Sequence, residues 1–225
     1  MVWTGGLVTR RREFIILVEA AATTWLRPEP LRAEERAIKI VAALGDALAT
    51  SYYLPVGRRF SDRLEFALKA KGQSVTVVDA GKGNDTAARG LASLNRLVPE
   101  DADAVILVLG AVDMVFAVEP TITRKSLAAI IENLKARRIA VLLCGAAPHT
   151  RLDDEHKSAF ATMFSGLAGE YDVLFYPAFD DAFVSDPSLK EIGDFKPNAA
   201  GIEAVVARIL PKVEALIDQA RHRVH

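Results

Sequence analysis

Ile38-Lys39-Ile40-Val41-Ala42-Ala43-Leu44-Gly45-Asp46-Ala47-Leu48 is the stretch whose reading decides the fold. An apolar run rich in Ile and Val that stops at Gly-Asp predicts a buried parallel strand entering a tight turn, with a helix able to start from Leu48 onward. Such strand-turn-helix junctions lie at the carboxyl ends of strands, where open α/β sheets bind ligands and do chemistry.

Outward from this stretch the chain alternates strand and helix. A helix over 60–71 carries Phe60, Leu64, Ala67 and Leu68 on one face and stops at Gly72. Val75 to Val78 is a second strand, and a helix over about 86–98 comes after the Gly81-Lys82-Gly83-Asn84-Asp85-Thr86 loop. Ala104 to Leu109 is a third strand, ending in Gly110-Ala111-Val112-Asp113, with a helix over about 121–137 after it. Ile139 to Leu143 and Val173 to Tyr176 are the fourth and fifth strands, flanking a helix over 153–170. A last helix begins at Pro197-Asn198, and Pro211 is expected to kink or interrupt it. Regular alternation with right-handed crossovers gives a three-layer α/β/α domain with a five-stranded parallel sheet, flavodoxin-like, in the order 2-1-3-4-5. In that order the turn at Gly45, the loop at Gly110 and the loop at Gly81 border one crevice.

The same residues carry a family resemblance. Gly45-Asp46-Ala47-Leu48, with Tyr52-Tyr53-Leu54-Pro55 behind it, resembles the first block of the SGNH (GDSL) hydrolases, especially the small secreted arylesterase, lysophospholipase and thioesterase branch. The resemblance runs from about Ile38 to Leu216 and implies the SGNH form of the fold and cleavage of acyl esters. In that family the third residue of the first block is the nucleophilic serine; here it is Ala47, which has neither lone pair nor proton. The oxyanion-donating glycine of the second block corresponds to Asn84, and the donor asparagine of Gly-x-Asn-Asp to Val112. In the last block, Gly193-Asp194-Phe195-Lys196-Pro197-Asn198, the acid corresponds to Gly193 and the histidine base to Lys196. Scaffold residues of the same blocks persist: Gly45, Asp46, Leu48, Asp85, Thr86, Gly110, Asp113, Pro197, Asn198 and Gly201. The resemblance therefore implies a family fold without intact catalytic residues, and a candidate binding crevice of Asp46, Ala47, Asn84, Val112, Asp113 and Lys196. A small acyl or carboxylate ligand fits such a crevice. The alternative is an active ester or thioester hydrolase that uses other residues.

Composition narrows the remaining classes. The chain has 225 residues, half of them apolar, enough for one core, and 28 basic against 29 acidic residues are interspersed. This is not the charge pattern of a nucleic-acid binder. A single cysteine, Cys144, excludes an internal disulfide and a cysteine metal cage. Residues 1–36 read as a separate segment ahead of a single domain over 37–225. Arg10-Arg11-Arg12-Glu13-Phe14-Ile15, then Ile16-Leu17-Val18, resembles a degraded twin-arginine export signal, although Glu19 charges the apolar stretch; a surface amphipathic helix is the other reading. A working signal means a periplasmic or secreted protein, and otherwise a cytoplasmic one. The apolar run is too short for stable membrane insertion.

Rival sites carry weaker signals. Ser51 reads as a solvated or capping serine and Asp194 as an acid with no histidine to orient. Cys144 reads as a core residue near His149, and His156, His222 and His225 as helix-surface or tail residues. Gly81-Lys82-Gly83 lacks the third glycine of a dinucleotide loop and comes after the second strand instead of the first. Asp46, Asp85 and Asp113 read as scaffold aspartates bonded to backbone, so no metal or cofactor is expected.

Overall fold

The computed structural model describes residues 1–2, 36–45, 50–81, 83, 85–147, 152–192 and 196–224. The chain divides into two units, Met1–Glu34 and Glu35–His225, and the second contains the sheet and its helices. The export segment lies outside the described residues, as does the helix start at Leu48.

Among the described residues five strands form one sheet: β1 (Ile38–Gly45), β2 (Val75–Asp79), β3 (Ala104–Val108), β4 (Ala140–Cys144) and β5 (Leu174–Tyr176). All pairings are parallel and the order is β2-β1-β3-β4-β5, as the alternation predicts. The helices are α1 (Phe60–Ala70), α2 (Ala87–Leu97), α3 (Ala111–Val115), α4 (Pro120–Ala136), α5 (Asp154–Tyr171) and α6 (Ala199–Val224). Helix α3 is one short turn where the sequence predicts only loop; the Met114 N–H donates to Gly110 O (3.0 Å) and Phe116 N–H to Val112 O (3.0 Å).

Strand periodicity sorts the core into two layers. Ile40, Ala104, Ile106, Val108, Ala140 and Leu142 face α1 and α6, whereas Val105, Leu107, Leu109, Val141 and Leu143 face α2, α4 and α5. Every residue of β3 and β4 is buried, as parallel strands covered on both sides require. Strand β1 breaks the alternation once. Ala42 pairs with Ile106 but Leu44 with Leu107, so Ala43 is an extra residue and a bulge. Leu44 consequently joins the layer opposite to Ile38 and Ile40, since a slip of one residue changes the face.

The amino-terminal edge of the sheet is pinned by Asp103. Its carboxylate, in a residue 8% exposed, accepts from Lys39 N–H (2.8 Å) and from the Arg36 guanidinium (2.6 Å), while its own N–H donates to Lys39 O (2.9 Å). At the far end α6 runs unbroken through Pro211, contrary to one branch of the expectation. Proline there leaves the Ala207 carbonyl without its helical donor, and because Pro211 is exposed, water can serve that carbonyl. The helix begins at Ala199 and not at Pro197, which instead forms an antiparallel bridge with Lys190.

Gly45, the last residue of β1, packs so closely on β3 that a Cβ there would overlap the Val108 carbonyl oxygen. A backbone atom cannot move aside as a side-chain tip can. Gly45→Ala is therefore expected to destabilise the domain by about 1–3 kcal/mol, the usual cost of overpacking, measurable as a lower urea midpoint with unchanged slope.

Candidate functional site

The switch point lies at the carboxyl ends of β1 and β3, which are direct neighbours. Of the residues expected there, Val112, Asp113 and Lys196 are described; Asp46, Ala47, Asn84, Gly193 and Asp194 lie outside the described residues. Val112 is half-buried on α3.

Asp113 comes next in the chain but is 1% exposed, with both oxygens committed. One accepts from Ala87 N–H at the start of α2 (2.9 Å) and the other from the Thr123 hydroxyl on α4 (2.9 Å). Burial pushes its carboxyl above the ordinary aspartate range, and the two donors oppose that shift. Asp113 thus ties two helices to the end of β3. At the start of α2, Thr86 accepts from Arg89 N–H as the N-cap.

Lys196 is half-buried, with Nζ 4.8 Å from the centroid of the Tyr53 ring, a cation-π arrangement. Its carbonyl accepts from Glu191 N–H (2.9 Å), and the Tyr53 hydroxyl donates to the next carbonyl, Pro197 O (2.8 Å). Tyr53 in turn meets Tyr52 edge to face, ring centroids 5.9 Å apart. Tyr52 lies against Gly83, where any Cβ would overlap its ring. These contacts join the loop after β1 to the loop after β2 and to the segment before α6. The two tyrosines stand in the first sequence block, yet nothing in their spacing marks them as the connection. Asn198 fixes the same segment from the other side. Its amide donates to Ser188 O (2.8 Å) and Lys190 O (3.1 Å), and its oxygen caps α6 by accepting from Gly201 N–H (3.0 Å).

The rival candidates fall in other surroundings. Ser51 is fully buried, against the expectation of a solvated or capping serine: the chain turns there with φ +49°, and its hydroxyl, like that of neighbouring Thr50, has no hydrogen-bond partner among the described residues. Cys144 is enclosed in the core, where desolvation raises its thiol well above the ordinary range and keeps it protonated. His149 and His225 lie outside the described residues. His156 pairs with Asp153 at the start of α5 (2.9 Å), which raises its pKa, and the His222 ring meets Asp218 O (2.6 Å). Among the described residues no histidine bonds to a serine, threonine or cysteine side chain, no three His, Cys, Asp or Glu side chains converge for a metal, and no helix is long and apolar enough to cross a membrane.

Comparison with known proteins agrees with this geometry. A model of the GDSL-like Lipase/Acylhydrolase family matches residues 43–204. Esterase TesA of Pseudomonas aeruginosa is 22% identical over 188 residues, covering 83% of this chain and 94% of that protein. Thioesterase 1/protease 1/lysophospholipase L1 of Escherichia coli K12 is 27% identical over 156 residues, covering 69% and 74%. The crystal structure of AlinE4, an SGNH-hydrolase family esterase, superposes with a TM-score of 0.65 at 29% identity, covering 81% of this chain and 96% of that one. The family model spans well over half of the chain and the fold is the one its relatives share, so the chain belongs to the GDSL-like lipase/acylhydrolase (SGNH) family.

Proposed function

We propose that this chain is a non-hydrolysing member of its family that binds a small acyl or carboxylate ligand in the crevice. The observation that carries the reading is the side chain at the position of the family's base. Lys196 is an ammonium seated on the Tyr53 ring, with three donors and no acceptor, and cannot take a proton from a nucleophile. The nucleophile's own position holds Ala47. Loss of one oxyanion donor costs a rate factor on the order of 10² to 10³, and loss of nucleophile or base about 10⁶, combining non-additively. With Ala47, Asn84, Val112, Gly193 and Lys196 all departing from the family pattern, only slight acceleration over water is left.

Hydrolysis of p-nitrophenyl acetate at neutral pH is accordingly expected near background. Ala47→Ser alone should restore little. Ala47→Ser with Lys196→His should restore measurable turnover, and Gly193→Asp and Val112→Asn should add to it. Robust turnover by the unmodified protein would refute the proposal in favour of a hydrolase using other residues.

For the ligand, Ala47 and Val112 supply apolar surface, and Lys196 supplies one cation beside it, a combination suited to a fatty carboxylate. A charged hydrogen bond of this kind contributes about 1.5–3 kcal/mol. Lys196→Met should therefore weaken binding of a short-chain carboxylate, measured by calorimetry, by about 10- to 150-fold while sparing the alcohol of equal length. Equal loss of both would make Lys196 a structural substitution.

By the same reading the protein works outside the cytoplasm, because Arg10-Arg11-Arg12 and the apolar stretch after them suit an export signal. Fractionation of the native bacterium should find it beyond the inner membrane; recovery only from the cytoplasm would retire that part.

A further inference from the structure

Among the described residues the sheet ends in β2 on one side and β5 on the other. Strand β5 is three residues long and offers little to a neighbouring strand, whereas β2 is five, Val75-Thr76-Val77-Val78-Asp79, and rich in β-branched residues that suit pairing. The bonds of β2 show which of its peptide groups point outward. Ser74 O accepts from Ile38 N–H (3.0 Å), so Ser74 faces β1; alternation along the strand turns Thr76 and Val78 the same way and Val75, Val77 and Asp79 outward. Val75 is buried, so the open part of this edge runs from half-buried Val77 to exposed Asp79.

One side chain closes that part. Glu65 on α1 accepts from the outward Val77 N–H through Oε2 (2.7 Å), while its Oε1 accepts from the Lys69 ammonium one turn further on (2.5 Å). Burial acts against the carboxylate, but these two donors outweigh it and hold its pKa below the ordinary glutamate range, so it is ionised at neutral pH. Among the described residues no other side chain accepts from an outward N–H of β2.

We propose that Glu65 closes the β2 edge against a second copy of this chain. A strand edge left open is a template for another strand, and this one is self-complementary. In an antiparallel pair about a two-fold axis at Val78, Val77 of each copy stands opposite Asp79 of the other, and each such pair exchanges both of its backbone hydrogen bonds. That exchange needs the Val77 N–H, which Glu65 occupies. A second copy would have to break this bond and desolvate the Glu65–Lys69 pair, and both oppose association.

The experiment is light scattering on the full chain across a range of concentrations, with circular dichroism to verify that the helices and sheet are formed. Glu65→Ala, in a helix that alanine favours, should double the mass of the unmodified protein as concentration rises and slow exchange of the Asp79 amide. Glu65→Met, which keeps the length of the side chain and has no oxygen to accept with, should do the same. Glu65→Gln, whose amide oxygen can still accept from Val77 N–H, should keep the unmodified mass. Glu65→Ala with Asp79→Pro should also keep it, because proline removes an outward N–H that pairing needs, even though a charge that opposes pairing goes with it. Three results would overturn the proposal: Glu65→Ala and Glu65→Met both keeping the unmodified mass; Glu65→Gln associating as Glu65→Ala does; or association that persists when Asp79→Pro is added, which would assign it to exposed core instead of strand pairing.

Discussion

A carboxylate sealed from water is tolerated only when its oxygens are met, and Asp113 is the one on which the arrangement around the switch point depends. Its two bonds reach across 26 residues to the first N–H of α2 and across 10 to a hydroxyl on α4. Those helices belong to the layer that covers one side of the sheet, so a single side chain locks that layer to the end of β3. The cost of burying the charge appears as the upward push on its pKa, and the helix N-terminus offsets part of it. Removing either donor would leave a charge in the core with half its partners.

The bulge in β1 works with this anchor. Without the extra residue, Leu44 would continue the row of Ile38 and Ile40 toward α1 and α6. With it, Leu44 enters the opposite layer, and the chain reaches Gly45 rotated and close enough to touch the Val108 carbonyl. Gly45, where the family's first block starts, is therefore placed by a count of residues and by the absence of a Cβ.

The sheet and most helices are legible in the sequence because their signals are strong. Uninterrupted apolar strands, helical stripes such as Leu127, Ile130, Ile131 and Leu134, and the Gly-Asp turn all point to one topology. The bulge is not legible, since Ala42, Ala43 and Leu44 are all apolar and satisfy either register. Ser51 misleads for a related reason: a small polar residue after a turn reads as solvated, and only the left-handed backbone at that position carries its hydroxyl inward. At the crevice, the ordered blocks locate Val112, Asp113 and Lys196 by number. They do not show that Asp113 faces the helices, or that Tyr53 supports Lys196 and Pro197, because both facts depend on contacts between segments far apart in the chain.

The order in which these pieces leave the ribosome has its own consequence. Central strand β1 is synthesised first, meets β2 about one helix later, and must wait for β3, whose neighbour Asp103 stands 64 positions beyond Lys39. The face bearing Ile40, Ile106 and Leu142 is sheathed mainly by α6, the final helix made, through Ile202, Val206, Ile209 and Val213. While α6 is still in the exit tunnel, that face is covered by α1 on the β2 and β1 side alone, and the β4 and β5 side stays bare. The layer of the sheet that α6 covers is thus the last to close, and until then its strands are open to a chaperone or a translocation partner.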